Sequence, residues 1–301
     1  MLELRNPKVA VPVVLFAGII WSFGPLVVRY MNEPNQIPWQ YIFGRGLTIF
    51  ILLNLYLYFE EGKNFYKNYL KMGLSGLIGG SGLGIAMITF MFSITNTSAA
   101  VTLLCLAAMP FFAALLAFLF LNEKISLNVW ISIFIATIGI GIMAVGNNAD
   151  TSLIGFAFGI TSSLGFAVFS VTLRWRNETP KFTTTAFAGL FCFVFATIMI
   201  VKNDLVFFSS SYNSSLFSLH GTLVCLGLIL YSIGSKAIPA AELTLLSLTE
   251  VIGGIFWVWL PLFGINEIPT TNTIIGGFFL FISLTYYSLI MRWNKRHIGL
   301  N

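Results

Sequence analysis

Charged residues are scarce in this chain of 301 residues. They make up 9% of the sequence, against roughly 25% in a soluble domain, while 57% of the residues are hydrophobic and the mean hydropathy is +0.88. This composition excludes a soluble globular domain and predicts an all-α membrane protein that crosses the bilayer several times. The net charge of +5 does not indicate nucleic acid as a partner, because no basic cluster is interleaved with aromatic residues.

The side chains that usually bind metals or carry catalysis are also few. The three cysteines, Cys105, Cys192 and Cys225, fall inside apolar segments, which predicts no disulfide and no metal site. His220 and His297 are the two histidines, and neither has a second ligand at a useful spacing. The sequence has no nucleophile–base pair, phosphate-binding loop or metal triad, so it predicts no cofactor and argues against an enzyme.

Long apolar segments are what the sequence has in quantity. A helix needs about 20 apolar residues to cross the core of a bilayer. Ten such spans can be drawn, at residues 9–29, 39–58, 72–93, 98–120, 127–146, 153–173, 183–201, 218–236, 240–260 and 271–291. The linkers are short, and the longest polar one, residues 209–215, is predicted to be a surface loop. Almost nothing remains for a domain outside the membrane.

The positions of lysine and arginine predict the orientation of the chain. With the N-terminus in the cytoplasm, 13 of the 16 basic residues lie on the cytoplasmic side. Arg29 and Lys202 lie on the outer side, and Arg45 falls within a span. Both termini are therefore predicted to be cytoplasmic.

The two halves of the chain share a sequence pattern at an offset of 141 residues: Ala99 in the fourth span corresponds to Ala240 in the ninth. Three positions of the first span recur in the sixth, since Gly18, Ser22 and Gly24 match Gly159, Ser163 and Gly165. An Asn-Glu pair ends the fourth and the ninth span, at 122–123 and 266–267. Five spans in each half place the two copies in opposite membrane orientations, an architecture found in many secondary transporters.

Several of these motifs resemble a known family. They are the segment Ile20-Trp21-Ser22-Phe23-Gly24 with Arg29, then Pro38-Trp39 and Arg45, the segment Ile238-Pro239-Ala240-Ala241-Glu242 followed by Glu250, and the Asn-Glu pairs. Together they resemble the EamA branch of the drug/metabolite transporter superfamily over about residues 11–145 and 153–291. The resemblance implies a ten-helix carrier that exports or exchanges small metabolites, including amino acids and drug-like compounds. One departure is Val251, where many relatives have proline, so the ninth span is expected to be straighter than the fourth, which has Pro110.

On this resemblance the chain divides into a first five-helix EamA-like repeat at residues 9–146, a second at 153–291 and a basic cytoplasmic tail at 292–301. The expected location is the inner (plasma) membrane of a bacterium. The implied partners are a small-molecule substrate and the lipid bilayer, with a proton as the candidate coupling ion. Both a monomer and a homodimer fit the sequence.

Two carboxylates in the ninth span are candidate functional residues. Glu242 and Glu250 are eight positions apart, so both can lie on one broad face of a helix. Glu250 lies about ten residues into its span, where a charge costs at least a few kcal/mol and usually faces a partner or an aqueous cavity. Two roles fit Glu250: binding an amino group or a coupled proton, and structural pairing with Arg45 or another polar neighbour. Glu242 lies nearer the cytoplasmic end and fits a gate or a structural role.

Arg45 and four uncharged side chains complete the predicted substrate pathway. Arg45 keeps its proton inside a membrane and needs a carboxylate or carbonyl partner, so structural pairing is favoured over substrate contact. Trp21 lies deeper than the interfacial aromatic belt, which fits a packed aromatic ring as well as a surface for stacking a substrate or cation. Tyr231, Met109 and Phe90 are weaker candidates on the same reasoning.

Two further patterns are expected to be structural. Gly76, Gly80 and Gly84 recur at every fourth position of the third span, which predicts close helix packing. Glu123 and Glu267 end equivalent spans and are expected to cap the helices that follow them rather than to bind substrate.

The leading hypothesis is a secondary carrier that moves a small metabolite, such as an amino acid or a related amine-bearing compound, by alternating access. Export is the expected direction. An organic-phosphate or nucleotide-sugar exchanger is the alternative within transport, but one embedded cation, Arg45, against two embedded carboxylates disfavours an anionic substrate. From another class, a channel or a lipid scramblase also fits a polytopic membrane protein, and a single-channel recording separates a channel from a carrier.

Overall fold

The computed structural model describes residues 7–122, 127–145, 152–176, 178–238 and 240–297, which form helices joined by short turns with no strand among them. Within these ranges the α-helices are α1 Pro7–Trp21, α2 Gly24–Tyr30, α3 Pro38–Glu61, α4 Lys67–Lys71, α5 Gly73–Asn96, α6 Ala99–Leu106, α7 Met109–Leu121, α8 Leu127–Val145, α9 Leu153–Trp175, α10 Lys181–Lys202, α11 Ser211–Gly234, α12 Ala240–Leu246, α13 Thr249–Trp259 and α14 Thr271–His297. Single 3₁₀ turns lie at Gly62–Asn64 and Pro261–Phe263.

Seven helical segments of the described chain are long and apolar enough to cross a bilayer: Val9–Tyr30, Pro38–Asn64, Gly73–Asn96, Ala99–Leu121, Leu153–Trp175, Lys181–Lys202 and Ser211–Gly234. They correspond to the predicted spans one to four and six to eight. The other three predicted spans correspond to shorter apolar stretches, Trp130–Ile142, Leu243–Trp259 and Thr271–Ser283. The structure is thus all-helical with multiple candidate membrane spans, and the count of ten stays a prediction.

Two of these spans are broken into two helices at a proline. α1 ends shortly before Pro25, which lies in the first turn of α2, and α6 ends shortly before Pro110, which lies in the first turn of α7. The first turn of a helix tolerates proline, because its amides have no partner within the helix, whereas proline inside a helix disrupts it. Proline therefore explains both breaks.

A third break separates α12 from α13 and has no proline. We expected this span to be straighter than the fourth because Val251 replaces a proline, and this expectation is wrong. Hydroxyl groups bind the backbone here instead: Ser247 Oγ donates to the Thr244 carbonyl at 2.8 Å, and Thr249 Oγ1 donates to the Leu15 carbonyl of α1 at 3.2 Å. Hydrogen bonds from serine and threonine to the backbone compete with the helix and bend it.

The polar segment 209–215 is largely helical. α11 begins at Ser211, and Ser210 Oγ accepts a hydrogen bond from the Asn213 amide at 3.0 Å, as an N-cap serine does. The prediction of a surface loop is therefore wrong, because the serine-rich run is the capped first turn of a helix. The Asn213 side chain is buried and bonds both the amide and the carbonyl of Asn32, at 3.0 and 3.2 Å.

The helices of the two predicted halves are interleaved. α5 packs along α9, α3 along α10, α8 along α14 and α1 along α11. Contacts between the halves recur when each helix is replaced by its equivalent in the other half. The contact of α5 with α9 corresponds to that of α11 with α1, and the contact of α5 with α10 corresponds to that of α11 with α3. The contact of α7 with α9 likewise corresponds to that of α13 with α1. The broken spans also meet, with α6 against α13 and α7 against α12. The core of the bundle therefore lies between the halves rather than within either of them.

Glycines allow these helices to approach closely. The predicted glycine face of α5 packs on α10, where a Cβ added at Gly80 would lie 2.8 Å from the Thr184 carbonyl oxygen. α5 and α9 cross at two further glycines, and a Cβ at Gly165 would lie 2.6 Å from the Gly82 carbonyl oxygen. The prediction of close packing along the glycine face of α5 is confirmed.

An ion pair ties four segments together at one end of the bundle. Arg29 at the end of α2 contacts Glu267 through Nε and Oε2 at 2.8 Å, and its Nη1 donates to the Ile94 carbonyl of α5 at 2.8 Å. Glu267 Oε1 accepts from the amide of Ala99, the first residue of α6, at 2.5 Å. We expected Glu267 to cap the following helix, α14; it caps α6 instead, because the unpaired amides of that N-terminus lie beside it. The matching residue, Glu123, lies outside the described residues.

Candidate functional site

A small cavity of about 70 Å³ lies in the interior, where α1, α7 and α13 meet α3, α5, α9 and α11. Its lining is mostly apolar and aromatic with a few polar groups, which is the usual character of a small-molecule site. Five of the seven residues predicted for the substrate pathway border it: Trp21, Arg45, Phe90, Met109 and Glu250. The structure thus brings together residues that lie up to 229 positions apart in the sequence.

Glu250 places a carboxylate at the wall of this cavity. It is the second residue of α13, in the first turn after the break, and its own amide donates to the Ser247 carbonyl at 2.9 Å. No described residue donates a hydrogen bond to its carboxylate. Met109, its counterpart at an offset of 141 residues, borders the same cavity from α7. Equivalent positions of the two halves therefore meet at one site, and one of the two has an ionisable side chain.

Arg45 lies about two turns into α3 and is 3% exposed. Its Nη1 donates to Tyr41 Oη at 2.9 Å, and its Nη2 donates to the Met87 carbonyl of α5 at 2.7 Å. The expected carbonyl partner is therefore present. The alternative of an ion pair with Glu250 is wrong, because these two described side chains form none within 4 Å. The two side chains nevertheless border the same cavity.

Tyr41 and His220 are polar residues of the site that the sequence did not reveal. Tyr41 Oη lies 2.6 Å from His220 Nδ1, and both side chains are buried. His220 also borders the cavity. We placed His220 near the end of a span beginning at 218, whereas α11 begins at Ser211 and carries it into the interior. The N-cap at Ser210 was the one signal that could have placed this histidine correctly.

Aromatic rings form one wall of the cavity. Trp21 is 5% exposed, and its Nε1 donates to the Val224 carbonyl of α11 at 3.2 Å. Its ring meets Phe166 edge-on, with centroids 5.8 Å apart. Trp21 is therefore a packed, hydrogen-bonded aromatic residue that also borders the cavity, so the structure accommodates both roles considered for it.

The remaining two predicted residues, Tyr231 and Glu242, have different outcomes. Tyr231 is fully buried behind Trp21, with ring centroids 5.6 Å apart, and its hydroxyl lies 2.7 Å from Ser170 Oγ. It supports the wall of the cavity from behind, as the neighbour of a residue that borders it. Glu242 falls within α12, and its side chain lies outside the described residues, so its role stays a prediction.

Comparison with known proteins agrees with these features. Residues 8–145 match the EamA-like transporter family. Two uncharacterized transporters of Helicobacter pylori, from strains J99 and 26695, are 26% and 25% identical over 164 residues, which is 54% of this chain and 52% of each relative. The match therefore spans about half the length of these relatives.

One crystal structure of a protein with 14% sequence identity superposes with a TM-score of 0.69, over 96% of this chain and 100% of that chain. At this identity the likeness concerns the fold alone. The family resemblance expected from the sequence motifs is confirmed over the first part of the chain, where residues 8–145 match the EamA-like transporter family.

Proposed function

We propose that this protein is a secondary carrier of the drug/metabolite transporter type that moves a small amine-bearing metabolite, such as an amino acid, across the inner membrane of a bacterium by alternating access. Export is the proposed direction. One observation carries the proposal: Glu250 borders an interior cavity with apolar and aromatic walls, and no described residue donates a hydrogen bond to its carboxylate. A carboxylate kept there at a cost of a few kcal/mol is a functional candidate, and a substrate ammonium group or a proton would neutralise it.

The arrangement of the helices supports two inverted five-helix repeats at residues 9–146 and 153–291. Contacts between the halves recur between equivalent helices, and the fourth and ninth spans are both broken beside the cavity. In transporters with inverted repeats, broken helices at the interface of the repeats form the substrate site. The count of ten spans and the inversion are part of this proposal.

The size of the cavity favours a small substrate. A volume of about 70 Å³ is well below the roughly 300–1,000 Å³ of most ligand sites, and it holds a few water molecules or a small organic group. A carrier that closes on both sides during its cycle passes through such a state. Larger compounds require the helices around the cavity to separate further.

Contacts between residues assigned to the same side of the membrane support the proposed orientation. Arg29 and Glu267, both assigned to the outer side by the distribution of basic residues, form an ion pair at 2.8 Å. Lys181 and Ser235, which lies at the end of the eighth span, are both assigned to the cytoplasmic side. These two residues also meet, since Lys181 Nζ donates to Ser235 Oγ at 3.1 Å. We therefore propose a multi-pass protein with both termini and the basic tail, residues 292–301, in the cytoplasm.

Replacing Glu250 tests the proposal in proteoliposomes loaded with amino acids and amines, with and without a proton gradient. Glu250→Gln keeps the shape of the side chain but removes its charge and its proton, so transport should fall at least tenfold while the protein still inserts and folds. Glu60→Gln is the matched control, since Glu60 lies exposed near the end of α3. Transport by Glu250→Gln at the wild-type rate at every pH would refute the role of Glu250.

The pH dependence separates the two roles of this carboxylate. Proton coupling predicts a pH-dependent rate that becomes flat in Glu250→Gln, whereas amine binding predicts a loss of affinity at every pH. An organic-phosphate exchanger is disfavoured, because Arg45 is the one basic side chain with a permanent charge among the described lining residues and Glu250 adds a carboxylate beside it. A unitary conductance in a planar bilayer would instead identify a channel, and movement of labelled phospholipid without solute a scramblase.

A further inference from the structure

We infer that Tyr41 and His220 are positioning residues that hold the Arg45 guanidinium at the wall of the cavity, where it recognises the carboxylate of the substrate. This inference rests on the proposed function and adds the second recognition group to it. Glu250 would take the ammonium end of a zwitterion and Arg45 the carboxylate end. Arg45, His220 and Glu250 all border the same cavity.

The hydrogen bonds from Arg45 to His220 form a chain with a fixed direction. A guanidinium only donates, so Arg45 Nη1 donates to Tyr41 Oη at 2.9 Å. The tyrosine hydroxyl then has its own proton to give, and the acceptor within reach is His220 Nδ1, at 2.6 Å. His220 Nδ1 is therefore unprotonated, and the ring carries its proton on Nε2. The chain runs from Arg45 through Tyr41 to His220 with every step satisfied.

The direction of these hydrogen bonds explains how Tyr41 and His220 keep Arg45 in place. Protonating His220 at Nδ1 would turn it into a donor, and the Tyr41 hydroxyl would face two cationic donors with no acceptor for its own proton. Removing the acceptor at His220 would likewise leave the buried Tyr41 hydroxyl unsatisfied, which costs free energy in an apolar interior. The other terminal nitrogen of the Arg45 guanidinium, Nη2, donates to the Met87 carbonyl at 2.7 Å. With both ends fixed, two of the five guanidinium donors are bound to protein groups and the remaining donors are available at the cavity.

The His220 ring is held in place by a glycine at a helix break. A Cβ added at Gly24, the first residue of α2, would lie 2.6 Å from His220 Nε2. The ring also packs on Tyr41, with centroids 5.7 Å apart. The end of α1, the start of α2 and the interior of α11 therefore fit together around this histidine, so its orientation depends on the break before Pro25.

Transport of three matched probes tests the inference. L-Alanine carries both charged groups, propionate lacks the amine, and ethylamine lacks the carboxylate. We expect Tyr41→Phe and His220→Leu to raise the KM for L-alanine and propionate about tenfold, the effect of one charge-assisted hydrogen bond, with the maximal rate changed less than twofold and ethylamine unaffected. His220→Asn, which keeps an acceptor near the position of Nδ1, should restore the wild-type KM. Gly24→Ala, which displaces the ring but keeps all three polar side chains, should behave as His220→Leu does.

A merely structural role would lower the maximal rate or the yield for all three probes alike, and that result would overturn the inference. So would an unchanged KM for L-alanine in both Tyr41→Phe and His220→Leu. Failure of wild-type protein to move any of the three probes would contradict the proposed function for these substrates. In that case a second measurement, which does not depend on transport, tests the inference.

The second measurement follows the accessibility of the guanidinium itself. Methylglyoxal, a small reagent for arginine, is applied to the full-length protein in vesicles, and modification of Arg45 is quantified by peptide mass spectrometry. Modification should be slow in wild type and in His220→Asn, and about tenfold faster in Tyr41→Phe and His220→Leu, where the chain is cut. Equal rates in all four proteins would overturn the inference, whether or not a probe is transported.

Discussion

The ion pair between Arg29 and Glu267 should stabilise the end of the bundle where it lies, and a double-mutant cycle measures how much. Arg29→Met keeps the apolar stem and removes the guanidinium, which donates to Glu267 and to the Ile94 and Thr97 carbonyls. Glu267→Gln removes the negative charge and keeps an acceptor for the Ala99 amide. Comparison of the two single variants with the double variant therefore separates the attraction between the two charges from the capping of α6.

The magnitude follows from the geometry and the exposure of the pair. A charge-assisted hydrogen bond contributes about 1.5–3 kcal/mol when buried, and these side chains are 20% and 22% exposed, so water screens part of the attraction. We expect Arg29→Met to lower the free energy of unfolding by about 2–3 kcal/mol. The coupling energy between Arg29 and Glu267 should be about 1–2 kcal/mol.

Tryptophan fluorescence during thermal unfolding in detergent micelles provides the readout. A loss of about 2 kcal/mol corresponds to a fall in the melting temperature of about 4–8 °C. Lys202→Met is the matched control, because Lys202 is an exposed cation at the end of α10, and it should change stability by less than about 0.5 kcal/mol. At 1 M salt the coupling should shrink. Additive effects of Arg29→Met and Glu267→Gln, with no coupling at either salt concentration, would refute the stabilising role of this ion pair.

Two further predictions concern sidedness and packing. Cysteine introduced at the exposed Asn35 should react with an impermeant maleimide from outside intact cells, and cysteine at the exposed Asn64 should react only after the membrane is opened; the opposite pattern would invert the proposed topology. Gly165→Leu should lower the free energy of unfolding by about 1–3 kcal/mol or prevent folding, because its Cβ would lie 2.6 Å from the Gly82 carbonyl oxygen. Gly141→Leu on α8 is the control, since a Cβ there meets no atom within 4 Å, and an equal loss of stability in both variants would contradict the packing described.

Charge made part of the site predictable from sequence. Arg45 and Glu250 stand out because an ionisable group in an apolar span costs free energy and needs a reason to be there. Met109, a weaker candidate from the sequence, also borders the cavity, and it is the counterpart of Glu250 at the offset of 141 residues. These inferences needed no knowledge of which helices touch.

Partners distant in sequence could not be predicted in the same way. Tyr41 and His220 are 179 positions apart, and nothing local to either residue shows that their hydroxyl and imidazole meet. The same limit explains Glu267, whose capping partner Ala99 lies 168 positions before it. For the break after α12, proline was the wrong signal, because α12 and α13 are separate helices with no proline between them.

The interleaving of the two halves has a consequence for biosynthesis. A chain is made and inserted from its N-terminus, so α1, α3 and α5 enter the membrane before α9, α10 and α11, the helices on which they pack, exist. Until then the glycine face of α5 exposes its backbone to lipid, without the close neighbour that it is shaped to receive. The newly synthesised first half is therefore an incomplete intermediate. The insertion machinery or contacts within this half must shield its exposed backbone from lipid. A ribosome that stops after α8 releases a product that lacks the partner helices of α1, α3 and α5, and membrane proteases would recognise it as incomplete.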